Sequence, residues 1–345
     1  MNDLTNTRKI EHIKIIQRDP QVDRRKYYFD EVHLIHRALP EVNLAEVDPS
    51  TTFLGKRLSF PLLISCMTGG DHAAVRAINR NLAEAAEETG VAMGVGSQRV
   101  MFTHPEAAAS FALRGFAPTT VLLSNLGAVQ LNKGFGVAEA RRAVEVLDAD
   151  GLVLHLNPLQ EAVQPEGDTN FAGLAEKIGE VARGLSRPVI LKEVGAGMSA
   201  ADAELALGAG VTIVDVAGTG GTSWSRIEHH RVAEGAVDGL GIRFQDWGMP
   251  TPAALRVLDR YRDRLTLIAS GGVRSGLDMV KAVVLGASLC GLASPFLAPA
   301  MESKEAVVGE IERLKREFVT AMFLLGVSSV DDLLGRKDLL RKDEA

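Results

Sequence analysis

From residue 60 onward the chain repeats one pattern: a short, nearly continuous apolar run, then Gly or polar residues, then a helical stretch. Eight such runs stand at Phe60 to Ser65, Val91 to Val95, Val121 to Ser124, Gly151 to His155, Pro188 to Glu193, Val211 to Val216, Leu265 to Ser270 and Ser288 to Ala293. Runs that lack apolar/polar alternation are strands covered on both faces, and strands alternating with helices build parallel β/α units. Eight such units leave no sheet edge when the ring closes, which predicts an α/β protein, a (β/α)8 TIM barrel, over residues 60–326. An open doubly wound sheet is the alternative.

Helices are expected after Asp71, where Gly90 stops the run, and from near Pro105, Val137, Phe171, Ala200, Thr251 and Ser275. A last one, from about Ser303 to Leu325, closes the ring. Residues 1–59 precede the first strand and are expected to contribute to the mouth of the barrel. Residues 156–170 and 218–250 form polar loops long enough to be lids or binding loops. Residues 327–345, with the charged string GRKDLLRKDEA after Leu334, read as a solvated tail.

Apolar residues at 46% and charged residues at 24% suit one globular enzyme domain. A balance of 38 basic against 44 acidic residues, with no dense Lys/Arg stripe, argues against nucleic acid as a partner. Cys66 and Cys290 sit inside apolar runs and read as reduced thiols. The first residues lack the apolar core of a signal peptide, and no apolar run approaches the roughly 18 residues that span a bilayer, so the expectation is a cytoplasmic protein with no membrane partner.

A β/α barrel builds its site at the C-terminal ends of its strands. Those positions hold Met67 to Gly70, Gly96 to Arg99, Asn125 to Gly127, then His155, Asn157, Gln160 and Glu161, Lys192 and Glu193, Gly218 to Ser223, Ser270 to Arg274, and Ala293 with Ser294. In S-G-G-V-R-S-G the glycines let backbone N–H groups approach an anion beside a helix start, between strands seven and eight where barrels frequently bind phosphate. G-T-G-G-T-S after strand six is a weaker cradle of the same kind. Neither is a Walker loop or a dinucleotide fingerprint, so the phosphate belongs to a mononucleotide such as FMN or to a substrate.

Lys192 at a strand end could form a Schiff base, bind an anionic ring edge or pair with a carboxylate. Glu161, beside an amide, suits a Mg²⁺ that fills the rest of its octahedron with water and diphosphate oxygens. His155 could act as a general acid or base, since the ordinary pKa of a histidine suits proton transfer, although a hydrogen-bonded core histidine explains it equally. His33 and His36 lack further ligands in a metal-site pattern. Arg8, Lys9 and His12 form a short basic cluster that could clamp a diphosphate, on this chain or a neighbouring subunit; as composition alone, it is a solvated tail.

These strings resemble the motif set of the type 2, FMN-dependent isopentenyl-diphosphate isomerases: R-K-x-x-H from Arg8, H-R-A-L-P-E from His36, M-T-G-G from Met67, G-S-Q-R from Gly96, H-L-N-P-L-Q-E from His155, P-E-G-D from Pro165, K-E-V-G from Lys192, G-T-G-G-T-S-W from Gly218 and S-G-G-V-R-S-G-L-D from Ser270. The resemblance runs in order from residue 8 to about 300; H-L-N-P-L-Q-E is its most specific part, while S-G-G-V-R is shared by many flavin barrels. It implies FMN held by Met67, Thr68, Gly69, Ser97, Asn125, Lys192, Thr222, Gly272, Val273, Arg274, Ala293 and Ser294. It implies a substrate diphosphate met by Arg8, Lys9, Ser97, Gln98 and Arg99, with Gln160, His155 and Asn157 around the reacting carbons and Glu161 on Mg²⁺. It further implies reduced FMN as acid and base in a 1,3-allylic proton shift, NADPH as reductant, and a homo-oligomer, a tetramer or octamer.

The nearest rival is an FMN-dependent 2-hydroxy-acid oxidase or dehydrogenase, which needs a His base just after strand six or seven; G-T-G-G-T-S and S-G-G-V-R contain none. A nucleotide dehydrogenase with a Cys nucleophile fails because the loop after strand six has no Cys. A non-catalytic phosphate-binding scaffold leaves the polar cluster from His155 to Glu161 without a purpose.

Overall fold

The structure is a computed structural model that describes residues 4–24, 26, 28–67, 69–70, 72–231 and 239–341, with side chains from residue 11. Among these residues eight parallel strands close into a barrel: β1 (Leu62–Ile64), β2 (Ala92–Gly94), β3 (Leu122–Gly127), β4 (Gly151–Leu156), β5 (Val189–Glu193), β6 (Ile213–Asp215), β7 (Thr266–Ser270) and β8 (Leu289–Leu292). β8 pairs in parallel with both β7 and β1, so the sheet has no free edge, and the open-sheet alternative is excluded.

Alternate strand residues divide between two apolar layers. Leu63, Ala92, Leu123, Val153, Ile190, Ile213, Ile268 and Leu289 fill the barrel interior, whereas Leu62, Ile64, Met93, Leu122, Leu152 and Leu154 face the surrounding helices. Both faces of each strand are therefore buried, the physical reason the runs carry no alternation. The helix Ala73–Thr89 is capped by the His72 ring, whose Nδ1 accepts from the Ala74 amide at 3.2 Å, and ends on Gly90 at φ 67°. Asp71, placed at this start by sequence, lies outside the described residues.

Two expectations about the flanking segments need correction. Residues 1–59 do not all serve the mouth. An antiparallel hairpin, Thr51–Phe53 with Lys56–Leu58, instead packs Phe53 and Leu58 into the interior layer, and Lys56 pins it to Asp150 at 2.8 Å. Its side chains plug the barrel beneath the site. The helix Leu4–Arg18 takes the mouth side, where Ile15 packs with Val22 and Ile227. The C-terminal segment is not a solvated tail either: Val327, Val330, Leu333, Leu339 and Leu340 are buried, and the Ile35 amide donates to the Leu339 carbonyl at 2.8 Å. Its charges lie between apolar residues that complete the core. The loops at 156–170 and 218–250 contain the short helices Pro158–Val163, Trp224–His229 and Leu240–Arg243.

Candidate active site

A cavity of about 360 Å³ opens where the C-terminal ends of β1 and β5 to β8 meet, a size ordinary for a small-molecule site. Met67, Gly69, Lys192, Thr222, Gly272, Val273, Arg274, Ala293 and Ser294, all proposed from sequence, line it. Thr68 lies outside the described residues, and so do the side chains of Arg8 and Lys9, whose backbone belongs to the first helix.

One end of the cavity is walled by two glycine loops in direct contact. Gly271 and Gly272 take φ of +87° and +74°, a region that side chains with a Cβ rarely enter. A Cβ on Gly221 would stand 2.9 Å from the Gly272 nitrogen. The helix Gly276–Val284 that follows is already capped, because Ser275 Oγ accepts from the Asp278 amide at 3.1 Å and the Asp278 carboxylate accepts from the Arg274 amide at 3.0 Å. The helix with an N-terminus open toward the cavity is instead Ser294–Glu302, which has no side-chain cap at Ala293. Arg274 serves as a clasp: it donates to the Gly272 carbonyl at 2.8 Å, to the Gly220 carbonyl and to Asp23 at 2.9 Å, tying both glycine loops to the N-terminal segment.

The β5–β6 register sets Lys192 opposite Asp215, and their side chains meet at 3.1 Å. Lys192 also donates to Ser270 Oγ at 3.2 Å, while Ser270 Oγ donates to Asp215 at 2.6 Å. Of the readings of Lys192, the carboxylate pair is thus present, at the cavity wall rather than on the surface. Next to it, Glu193 accepts from the successive amides of Val194, Gly195 and Ala196, yet burial pushes its carboxyl up to about 7. Burial likewise pushes the Cys66 thiol up to about 11, so Cys66 is no ready nucleophile.

The β4 motif stands to one side. Asn157 donates to Glu161 at 2.7 Å and to the Gln160 carbonyl oxygen at 3.2 Å, and Gln160 donates to Glu228 at 2.7 Å. Burial raises the Glu228 carboxyl, but His12 at 3.2 Å, Gln160 and Arg231 outweigh it and hold it at about 2. Glu161 is buried and accepts from Gln164 and from the Asp168 amide, both at 2.6 Å. Asp168 in turn holds Arg99 at 3.5 Å, so the P-E-G-D loop sets a proposed diphosphate ligand relative to a proposed metal ligand. His155 Nδ1 lies 2.7 Å from Asn125 Oδ1, while Ser97 is half-buried.

Gln160 borders a second cavity of about 20 Å³, room for one water, which shares Arg24, Val194, Gly195 and Trp224 with the large one. Glu161, next in sequence, lines neither cavity. Gln98 is fully buried, and its side chain donates to the Ala143 carbonyl at 2.9 Å and accepts from the Asn125 amide at 3.0 Å, which braces β3. Among the described residues no three His, Cys, Asp or Glu are grouped to hold a metal, and no helix is long and apolar enough to cross a membrane.

Sequence reading missed Arg24, Asp215, Trp224 and Glu228. Asp215 carried a signal, an acid near the end of the apolar run V-T-I-V-D-V, and Trp224 closes the G-T-G-G-T-S-W string; Arg24 and Glu228 sit in charged stretches that look like solvated surface.

A closed β/α barrel with a glycine-walled cavity and a lysine at the end of β5 points to a flavin-barrel class. The family model described as FMN-dependent dehydrogenase matches residues 14–112 and 141–342, and the chain belongs to it. Solved structures agree on the fold: a flavocytochrome b2 mutant superposes at TM-score 0.67 with 19% identity, covering 94% of this chain and 80% of its own, and a mandelate oxidase mutant at 0.59 with 22%, covering 91% and 88%. At such identity the likeness concerns fold alone. Within the class, this chain belongs to the isopentenyl-diphosphate delta-isomerase family: it is 56% identical over 339 residues to that enzyme of Paracoccus zeaxanthinifaciens, covering 97% of each chain, and 46% identical to that of a Nostoc species, covering 95% and 94%.

Proposed function

We propose that the chain interconverts isopentenyl and dimethylallyl diphosphates with reduced FMN in the large cavity and a Mg-bound diphosphate at its β4 side. One observation carries the reading: Lys192, Thr222, the Gly272 to Arg274 turn, Ala293 and Ser294 line the large cavity, and Gln160 borders a small one that shares Arg24, Val194, Gly195 and Trp224 with it.

The residues fit FMN. The glycine wall and the uncapped start of Ser294–Glu302 suit its phosphate, and Ser65 Oγ, buried against the cavity with no hydrogen-bond partner among the described residues, suits a polar ligand atom. Bound reduced flavin supplies an acid and a base at its ring, the chemistry needed for substrate carbons that are barely acidic. Lys192 sets a fixed positive group against the cofactor edge, and Met67, Thr68, Gly69, Ser97, Asn125 and Thr222 are proposed to complete its pocket.

Mg²⁺ is proposed on Glu161. Three protein donors leave this carboxylate lone-pair capacity for one cation, and the buried Asn157 Oδ1 beside it has no hydrogen-bond partner among the described residues. A single carboxylate suffices for an ion that keeps its waters and takes diphosphate oxygens. Arg8, Lys9, Ser97, Gln98 and Arg99 are proposed to hold the diphosphate. Gln160 is oriented from both ends of its amide, by Asn157 as donor and Glu228 as acceptor, so it presents one geometry to the reacting carbons. His155, fixed by Asn125, holds a proton or positions substrate at the same edge.

NADPH as reductant, a homo-oligomer of four or eight subunits and a cytoplasmic location complete the proposal, with neither nucleic acid nor membrane as partner. The test is an anaerobic assay of isopentenyl diphosphate with FMN, Mg²⁺ and NADPH each omitted in turn. Loss of turnover on each omission is expected, except that prereduced FMN replaces NADPH; full activity of the apoprotein would overturn the reading.

A further inference from the structure

Among the described residues three lysine or arginine side chains line the large cavity: Arg24, Lys192 and Arg274. Two are neutralised locally, Lys192 by Asp215 at 3.1 Å and Arg274 by Asp23 at 2.9 Å. Arg24 has no carboxylate partner among the described residues. Its guanidinium donates instead to four backbone carbonyls, Gly221 at 2.9 Å, Gln245 at 3.3 Å, Gly195 at 2.8 Å and Thr222 at 3.1 Å. The acids that act on it from a distance are held elsewhere: Asp246 pairs with Lys26 at 3.0 Å and Asp23 with Arg274 at 2.9 Å, while burial pushes the Glu193 carboxyl up to about 7, so that it is mostly neutral below that pH. Carbonyls satisfy the hydrogen bonds of a guanidinium but bring no net charge, and arginine stays protonated at any working pH. Below about pH 7 a positive charge therefore remains on the cavity wall.

Its location is specific. The Arg24 amide donates to the Gly221 carbonyl at 3.2 Å and the Ser223 amide to the Val22 carbonyl at 2.8 Å, so residues 22–24 lie as a short strand along the loop after β6. The guanidinium spans from the Gly221 carbonyl, beside the Gly272 wall, to the Gly195 carbonyl in the loop after β5, on the Lys192 side of the cavity. We propose that Arg24 is a positioning residue of the flavin site whose unneutralised charge makes the cavity prefer the reduced, anionic isoalloxazine over the oxidised ring. The inference rests on the FMN reading above. Reduction by two electrons with uptake of one proton leaves the ring one negative charge richer, and a fixed cation in a poorly hydrated wall stabilises that form selectively.

The test titrates oxidised FMN, and FMN reduced with dithionite, into apoprotein of the wild type, Arg24→Gln and Arg24→Lys under anaerobic conditions, with the midpoint potential of the bound cofactor as an independent readout. Arg24→Gln is expected to lose about tenfold more affinity for reduced than for oxidised FMN, a fall of ~30 mV for a two-electron couple. Arg24→Lys keeps the charge with fewer carbonyl bonds, so both affinities fall together and the ratio stays within about twofold. Equal losses for both forms in Arg24→Gln would reduce Arg24 to a loop clasp and overturn the proposal. Should Arg24→Gln not fold, the lysine variant decides alone, since a tenfold fall of its ratio contradicts a role for charge. Wild-type protein that takes up no FMN overturns the cofactor reading itself, an outcome distinct from FMN binding that ignores Arg24.

Discussion

Replacing Gly271 by alanine strikes the contact between the two glycine loops. At φ +87° an L side chain costs about 1–2 kcal/mol in backbone strain. The new Cβ would stand 2.8 Å from the Gly218 nitrogen and 2.9 Å from its carbonyl carbon, against a comfortable separation of about 3.5–4 Å. Gly218 cannot simply retreat: its amide donates to the Ser270 carbonyl at 3.0 Å, and a Cβ there would collide with Thr251, which itself donates to Ser270 and Gly271. A local shift of roughly 1 Å is the least disruptive response, enough to misaim the amides of the phosphate wall. Losing one charge-assisted hydrogen bond costs about 1.5–3 kcal/mol, so FMN affinity is expected to fall between about tenfold and a hundredfold, and stability by about 2–4 kcal/mol. Gly309→Ala is the control, because Gly309 is exposed within the helix Lys304–Leu325 with open space around its Cβ position, and alanine there stabilises by roughly 0.5–1 kcal/mol. Quenching of FMN fluorescence and thermal unfolding read the two effects. A Gly271→Ala protein that binds FMN within twofold of wild type and melts alongside Gly309→Ala refutes the phosphate wall.

Lys192→Met leaves Asp215 buried without its counter-ion; stability should fall by about 3–5 kcal/mol and the flavin absorbance per protein should drop, whereas unchanged occupancy removes Lys192 from the cofactor. Glu161→Gln is expected to retain FMN but lose at least a hundredfold in Mg-dependent turnover, and a fully active variant clears Glu161 of the metal. Glu228 has a folded pKa held at about 2 against an ordinary 4.5, so its stabilisation is complete above pH 4.5 and lost as pH falls toward 2. Urea unfolding of Glu228→Gln should show a flatter acid limb, and an unaltered limb counts against the assignment. Glu193 has the opposite sign: with its pKa raised to about 7, stability is full below 4.5 and declines as pH rises through 7, a decline that Glu193→Gln should abolish in the same measurement.

The barrel was legible because double burial leaves a direct trace, eight apolar runs of strand length. Boundaries were not. β3 runs on to Gly127, since Asn125 keeps its ladder place opposite Val153 although its side chain ends the apolar run. The hairpin at 51–58 and the segment holding Leu339 and Leu340 escaped because two or three apolar residues among charges give no periodicity, yet those few fill defined gaps in the core. In the site, the residues on glycine turns and strand ends were readable from chemistry and position. Arg24 stood in the string D-R-R-K, indistinguishable from solvated surface until its carbonyl contacts were known.

The account depends on cofactor and substrate residues meeting across one shared wall at the barrel mouth. A crystal structure of the protein with reduced FMN, Mg²⁺ and isopentenyl diphosphate, grown without oxygen, tests this directly. The prediction is flavin phosphate against Gly272 and Ser294, the ring beside Lys192, and the metal on Glu161 with the five-carbon chain between the ring and Gln160. Flavin bound away from the cavity, or a diphosphate whose metal ignores Glu161, would contradict it.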